Sequence, residues 1–219
     1  MTDLYGLSTT ATPTRVGEGT KPLLRSTRDA TLFTADWWEG LAHEGRILHA
    51  NMGTVTTPLT FLVTAANRPD AWIRVPSGTT ILPLACHVIL ESAAGTVTEM
   101  DLRRAANDIG NGTSTAASVG PLSNRSDAIF TSACTARQLA TADTTAETSP
   151  ISLYRRTYPF AVATAEGHEP LGMYADRAMM GYPILVGPAT WELFVAATTT
   201  QATGYVIFHW AEIPSTAVV

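Results

Sequence analysis

Charged residues are scarce in this 219-residue chain, and lysine is almost absent. Asp, Glu, Lys and Arg make up 15% of the residues, against roughly 25% in ordinary globular proteins, and Lys21 is the only lysine. The formal net charge is −5. Such a chain lacks the clustered positive field that displaces counterions from nucleic acid, so direct sequence-specific nucleic-acid binding is not expected. The surface must instead be rich in Thr, Ser, Ala and Gly, which neighbouring subunits can cover at modest cost.

Cysteine and long apolar runs are also lacking. The two cysteines, Cys86 and Cys134, lie far apart and form no CxxC pair, so neither a metal knuckle nor a dithiol redox centre is indicated. The start, MTDLYGLSTT, has no basic segment followed by an apolar core, and no apolar run reaches about 18 residues. We therefore expect neither a signal peptide nor a transmembrane segment.

Recognisable catalytic motifs are missing as well. No GxSxG, Walker or GxGxxG pattern occurs. His43-Glu44 and His168-Glu169 resemble the start of a zinc-protease helix, but Ile47 and Gly172 stand where its second histidine is due. A triad built from scattered Ser, His and Asp is the remaining catalytic alternative. The sequence predicts no enzyme activity, no catalytic residue, no bound cofactor and no metal site.

Some polar residues have both a structural and a functional interpretation. His87 and His209 lie within strand-like runs, where a lone histidine is more often a packing residue than a ligand. Asp101, Asp108 and Asn111 could offer oxygens to calcium, but their spacing is not that of an EF-hand loop. We favour the interpretation that these are turn residues whose side chains form hydrogen bonds with the local backbone.

The chain divides into an arm and one domain. About the first thirty residues are rich in Thr, Pro, Gly and Arg without any sustained period, which predicts an extended N-terminal arm over residues 1–28, with a disordered tail as the alternative. Residues 29–219 then form a single domain. Its first element is a short helix within Asp29–His43, with Gly45 near its stop.

Strand patterns dominate the rest of the chain and predict eight or nine strands with no long helix. Alternating apolar and polar residues identify most of them. The predicted strands are Arg46–Met52, the alternating run from Leu59 to Ala65, Ala71–Val75, Thr80–Glu91, Thr96–Leu102, Ile151–Thr164 and Met179–Val186. Pro76-Ser77-Gly78 is a turn. Thr96–Leu102 is the predicted hairpin partner of Thr80–Glu91, and Pro159 marks an edge strand or a bend.

The clearest pattern lies between Trp191 and Ile213 and predicts two antiparallel strands joined by a hairpin loop over Thr198–Gly204. Trp191, Leu193, Val195 and Ala197 share one face of the first strand, and Val206, Phe208 and Trp210 share one face of the second. Because Tyr205, Ile207 and His209 make the second strand's other face apolar as well, we expect this strand to be central and covered on both sides.

Small polar residues fill the stretch from Arg103 to Ser149, and only Ala128–Leu139 is apolar enough to pack. A loop of this length is typically an excursion with its own structure or function. We predict a surface insertion over residues 103–149, with one helical turn near Arg137. The adjacent Trp37 and Trp38 cannot both face one core in a regular element, so one of them is a candidate contact for a partner, with a bent segment that buries both as the alternative.

Together these features resemble a viral, bacteriophage-type, single jelly-roll capsid protein. The resemblance rests on the polar arm, the Thr-rich strands, the entry Val75-Pro76-Ser77-Gly78-Thr79-Thr80, the 103–149 excursion and the closing Tyr205–Pro214 strand. It implies an all-β, antiparallel two-sheet sandwich of the jelly-roll type, in which the arm ties neighbouring subunits together. It also implies a structural virion protein that self-assembles into an icosahedral shell.

The partners implied by this resemblance are copies of the chain and other capsid proteins, with minor capsid proteins or an internal membrane as further candidates. Its location would be the virion, after synthesis in the host cytoplasm. The alternative function is a carbohydrate- or receptor-binding sandwich of a phage tail or spike, with Trp37, Trp38 or Tyr174 as a stacking platform.

Overall fold

The computed structural model describes residues 37–62, 68–92, 97–127, 130–142, 144–159, 167–171, 183–197 and 201–214. These residues form one helix, α1 (Trp37–His43), and thirteen strands. The strands are β1 (Ile47–Met52), β2 (Leu59–Thr60), β3 (Ala71–Val75), β4 (Thr79–Ser92), β5 (Val97–Ala105), β6 (Thr115–Ala116), β7 (Val119–Ser123), β8 (Thr135–Gln138), β9 (Ile151–Pro159), β10 (Gly167–Leu171), β11 (Leu185–Val186), β12 (Ala189–Ala197) and β13 (Thr203–Pro214).

Two antiparallel sheets make up the fold. The seven-stranded sheet has the order β10-β4-β13-β1-β7, with β11 paired to β4 and β2 paired to β13. The six-stranded sheet has the order β6-β8-β3-β12-β5-β9. The two sheets pack face to face as a sandwich, which confirms the predicted all-β antiparallel class and is compatible with a jelly roll. No helix in the described ranges is both long and apolar enough to cross a membrane.

The core lies between the inner faces of the two sheets, and alternation along each strand supplies it. On β12, Trp191, Leu193 and Val195 are buried, and on β13 Val206 and Phe208 are buried. Cys86 and Cys134 are both free and buried in this core. Burial of this many apolar side chains is the main stabilising contribution to the sandwich.

The predicted hairpin between Trp191 and Ile213 is wrong, although both of its strands are confirmed. β12 pairs with β3 and β5 in the six-stranded sheet, whereas β13 pairs with β4 and β1 in the seven-stranded sheet. The chain therefore crosses from one sheet to the other between these two strands. Alternation reveals which side chains face inward, but it is the same whether two strands lie side by side or face each other across a core.

The predicted pairing of Thr80–Glu91 with Thr96–Leu102 is wrong for the same reason. β4 belongs to the seven-stranded sheet and β5 to the six-stranded sheet, and residues 93–96 between them lie outside the described residues. β4 is instead bordered by β13 on one side and by β10 and β11 on the other. Two β-rich runs separated by a short connection can thus belong to different layers.

Several local predictions are confirmed. β1, β3 and β4 match the predicted strands, and Gly78 has the positive φ of 82° that the predicted turn requires. α1 ends at His43 and is followed by Gly45, at a φ of 70°. β9 is the outermost strand of its sheet, as Pro159 predicted for an edge.

The strand count and three segments differ from prediction. The described residues hold thirteen strands rather than eight or nine, since several are only two residues long. The Leu59–Ala65 run is a strand only over Leu59–Thr60, and the Met179–Val186 run only over Leu185–Val186, within the part of each that is described. Arg137 lies in β8 rather than in a helical turn.

The 103–149 segment folds into the sandwich rather than standing apart from it. It supplies β7 to the edge of the seven-stranded sheet and β6 and β8 to the edge of the six-stranded sheet. Cys134 and Ala136 from its apolar part reach the central core. The predicted arm over residues 1–28 lies outside the described residues, as do Thr198–Thr200 and most of the stretch from 160 to 182.

Candidate functional site

Three histidines, two of which were considered from sequence, come together on the outer face of the seven-stranded sheet. His49 on β1 is directly opposite His209 on β13, and their ring centroids are 6.1 Å apart. The His87 ring on β4 meets the His209 ring edge-on at 5.4 Å. His43 is exposed at the end of α1, and His168 lies on β10 opposite Ile89 in register.

The environment of this histidine cluster favours the neutral form of His87 and His209. The pKa of His209 is lowered to about 4, first by its partial burial and then by the neighbouring His87 and His49, because cations repel one another on one small surface. Burial also lowers the pKa of His87. His49 Nδ1 lies 2.6 Å from Asn124 Oδ1, a hydrogen bond that requires the proton on Nδ1. Within the described ranges, no group of His, Cys, Asp and Glu is arranged to hold a metal ion.

The face around the histidine cluster is only partly covered. Tyr205 and Ile207 on β13, with Ile89 on β4 and Asn51 on β1, are half-buried. At the neighbouring end of this sheet, Leu41 of α1 packs against an apolar group of Leu82, Ala211 and Ile213. We call the half-buried surface formed by His49, Asn51, His87, Ile89, Tyr205, Ile207 and His209 the open face. The prediction that β13 is central is confirmed, but its outer side is only half covered by the described residues.

Large exposed aliphatic side chains lie around the rim of the sandwich. Leu122 projects from the edge strand β7 and Ile151 from the edge strand β9, at 48% and 46% exposed. Ile184 directly precedes β11 and Val186 belongs to it, and their side chains are 51% and 53% exposed. Val55, in the turn after β1, is 72% exposed. These five side chains are called here the apolar rim.

The outer face of the six-stranded sheet, in contrast, is covered by the 103–149 segment. Trp72 is completely buried there against Ala105, Ile109 and Ala140, and its indole N–H donates to the Gly110 carbonyl at 3.3 Å. Backbone hydrogen bonds from Ala106 to Thr148 and from Thr145 to Ile109 join the two ends of the covering segment. The two broad faces of the sandwich therefore differ, since one is covered and the other is half-open.

The three residues considered as calcium ligands form hydrogen bonds with arginine side chains instead. Asp108 accepts two hydrogen bonds from Arg74, at 2.6 and 2.5 Å, and Asn111 Oδ1 accepts a third. Asp108 Oδ1 also accepts the Gly110 backbone N–H at 2.8 Å, as the turn interpretation predicted. Asp101 binds Arg103 at 2.7 Å. Hydrogen bonding to Arg74 lowers the pKa of Asp108, so this carboxylate is ionised and fully engaged at neutral pH.

Two buried glutamates were not anticipated from sequence. Glu192 is completely buried on β12, although it stands between apolar residues where alternation alone would have predicted an exposed side chain. Glu212 on β13 is also buried, and it accepts hydrogen bonds from Ser132 Oγ at 2.5 Å and Ala133 N at 2.8 Å. The only signal in the sequence was a lone acidic residue within a strongly apolar strand.

The aromatic platform considered for carbohydrate lies outside what the structure describes. The side chains of Trp37 and Trp38, at the start of α1, and all of Tyr174 are among the residues that are not described. Tyr205 is the aromatic ring of the open face. Comparison of the chain with protein-family models, with curated proteins and with solved structures finds no match in any of the three.

Proposed function

We propose that this chain is a structural virion protein that self-assembles into a capsid shell and has no catalytic activity. The observation that carries the proposal is the apolar rim, because Leu122 and Ile151 stand on edge strands of different sheets and face solvent in the single chain. Side chains of this size at the sides of a flat sandwich are suited to lateral packing between neighbours. A two-sheet sandwich is also compatible with the jelly-roll order that such shells use.

Lateral side-chain packing, rather than strand pairing, fits the chemistry of the edges. β9 carries Arg155 and Arg156 and ends at Pro159, and charge and proline both oppose the addition of another strand. β7, at the edge of the other sheet, is only five residues long. A subunit with these edges can form contacts of defined geometry, because open-ended sheet extension is disfavoured at both.

The charge of the chain supports contacts with protein rather than with a genome. The net charge is −5 and charged residues are few, so neighbouring copies can approach with little desolvation of ionic groups. Repetition by symmetry then multiplies a weak contact into a stable shell. In this proposal the arm over residues 1–28 ties neighbours together, and minor capsid proteins or an internal membrane are the other partners.

Sedimentation velocity and negative-stain electron microscopy of the purified full chain test this proposal. We expect capsomers or closed particles. Leu122→Asp and Ile151→Asp should each raise the critical concentration for assembly at least tenfold. Ser152→Asp adds the same charge at the neighbouring exposed position of β9 and is expected to have a smaller effect. A wild-type chain that remains monomeric at high concentration under all assembly conditions would overturn the proposal.

The second candidate function, a carbohydrate- or receptor-binding module of a tail or spike, is favoured by the open face. Tyr205 supplies an aromatic ring, and His49 supplies an imidazole on the same face, a combination that suits sugar recognition. A stable monomer or small oligomer that is retained on a glycan column, and loses retention in Tyr205→Ala, would support this function instead of a shell.

A further inference from the structure

A group of three carboxyl side chains and one guanidinium lies beneath the covering segment, on the outer face of the six-stranded sheet. Glu192 of β12 is directly opposite Arg103 of β5 on one side and Trp72 of β3 on the other. Asp101 of β5 and Glu147 of the covering segment complete the group, with side chains only 8% and 7% exposed. We call Asp101, Arg103, Glu147 and Glu192 the carboxyl cluster.

The single guanidinium of the carboxyl cluster is shared unequally. Arg103 Nε donates to Asp101 Oδ2 at 2.7 Å, whereas its Nη1 is 3.6 Å from Glu147 Oε2. The guanidinium carbon also lies 4.4 Å from the centre of the Phe194 ring. Arg103 is therefore turned toward Asp101, and it compensates Glu147 only partly.

Glu192 receives no hydrogen bond from any donor in the described part of the chain. Neither Oε1 nor Oε2 has a partner among those residues, although the side chain is completely buried. The Glu147 carboxyl lies in the same cluster, because it approaches Arg103, the residue directly opposite Glu192 in the sheet. An ionised carboxylate can only accept hydrogen bonds, so a buried Glu192 without a donor is favoured in its protonated form. An ionised Glu192 would leave an uncompensated buried charge beside the other carboxyl groups of the cluster, which is strongly unfavourable.

We propose that Glu192 keeps a proton while residues 144–149 cover it and that this buried carboxyl is a pH-operated latch, which holds residues 144–149 against the outer face of the six-stranded sheet. The latch is a property of the single chain and does not depend on the proposed shell function. Four hydrogen bonds would be released with it: Ala106 N to Thr148 O, Thr145 N to Ile109 O, Asn107 Nδ2 to Ala146 O and Thr148 N to Asn107 Oδ1.

The direction of the pH effect follows from burial and from the surrounding charges. The pKa of Glu192 is raised from 4.5 to about 8, chiefly by burial and also by the charges of Glu147 and Asp101, while Arg103 opposes them. When the segment opens, Glu192 becomes hydrated and its pKa returns toward the ordinary value. Between these two pKa values opening releases one proton, so the opening constant rises about tenfold per pH unit. Above pH 8 the closed state has already lost the proton, and the opening constant levels off.

Hydrogen exchange of the full chain tests the latch. The readout is the protection factor of the Ala106, Thr145 and Thr148 amides from pH 5.5 to 9, corrected for the chemical exchange rate. We expect protection in the wild type to fall about tenfold per pH unit up to about pH 8 and then to level off. In Glu192→Gln, where a neutral amide that cannot titrate replaces the carboxyl, we expect protection that does not change with pH.

Glu99→Gln is the matched control, because Glu99 also lies on β5 but pairs with the exposed Arg155. It should keep the wild-type slope. A wild-type protection factor that is independent of pH, or a Glu192→Gln variant with the wild-type slope, would overturn the latch.

A second measurement remains decisive even where Glu192→Gln does not fold. In the wild type labelled with carbon-13, the Glu192 carboxyl resonance should be that of a protonated carboxyl at pH 6 and should titrate near pH 8. A resonance that is fully ionised at pH 6 would overturn the proposal. Calcium chloride at pH 8.5 should leave the three protection factors unchanged, whereas stoichiometric calcium binding that raises them would make the carboxyl cluster a cation site instead.

Discussion

The rings of Trp191 and Phe208 meet edge to face in the centre of the sandwich, with centroids 4.5 Å apart and planes inclined at 68°. The two residues are close in sequence, yet they belong to opposite sheets, on β12 and β13. Their contact therefore couples the two layers directly. Both side chains are completely buried.

We expect Trp191→Leu and Phe208→Leu to be coupled in their effects on stability. Each substitution removes aromatic area from the core and should lower the free energy of unfolding by about 2 kcal/mol. The double variant should lose about 1 kcal/mol less than the sum, because the edge-to-face contact can be lost only once. Urea denaturation followed by circular dichroism measures the four free energies.

The control for this cycle is Trp191→Leu combined with Tyr205→Leu. Tyr205 points to the open face, away from the core, so these two effects should add. Strict additivity of Trp191→Leu and Phe208→Leu would show that the two layers are not coupled through this contact.

The sequence predicted which face of each of these strands is buried much better than it predicted which strands pair with each other. Alternation correctly identified Trp191, Leu193 and Val195 as one buried face and Val206 and Phe208 as another. It could not reveal that β12 and β13 lie in different sheets, because period-two burial is identical for paired strands and for strands that face each other. The pairing depends on contacts far apart in sequence, such as β13 with β1 and β12 with β5.

The candidate surfaces were less accessible to sequence analysis. His87 and His209 were identified singly as packing residues, but their meeting with His49 requires the register of three strands. The carboxyl cluster was missed because Glu192 and Glu147 are 45 positions apart in sequence, and the covering segment that buries them shows no regular period. Irregular segments are placed by side-chain and backbone hydrogen bonds, which no local pattern encodes.

His209 should make the sandwich sensitive to mild acid. Its lowered pKa, about 4, means that the folded chain binds this proton less readily than the unfolded chain, in which histidine titrates near its ordinary value of 6.5. The stabilising contribution is therefore complete above about pH 6.5 and is lost as the pH falls toward 4. When the pH is lowered from 7 to 4.5, the unfolding free energy of His209→Gln should fall by about 1 kcal/mol less than that of the wild type. This figure allows for solvent screening of the half-exposed ring.

Urea midpoints of both proteins across this pH range test the prediction. His43→Gln is the control, since His43 is exposed on α1 and makes no contact with the histidine cluster among the described contacts. Wild-type and His209→Gln stabilities that fall in parallel with pH would contradict a role for His209.

Gly204 should tolerate no side chain. It lies at the start of β13, where a Cβ would come within 2.1 Å of the Ile89 carbonyl oxygen of β4. Because the obstructing atom belongs to the backbone of a central strand, it cannot move aside as a flexible side chain would. Gly204→Ala should therefore separate β13 from β4 locally and lower the unfolding free energy by about 3 kcal/mol.

Gly120→Ala provides the matched control, since Gly120 also lies in a strand, β7, and a Cβ there would meet no atom within 4 Å. This substitution should be neutral or slightly stabilising, because alanine reduces the freedom of the unfolded chain. Thermal and urea unfolding of the two variants compares the sites directly. Equal stabilities would mean that β13 and β4 approach each other less closely at Gly204 than the described register requires, and the central position of β13 would then have to be reconsidered.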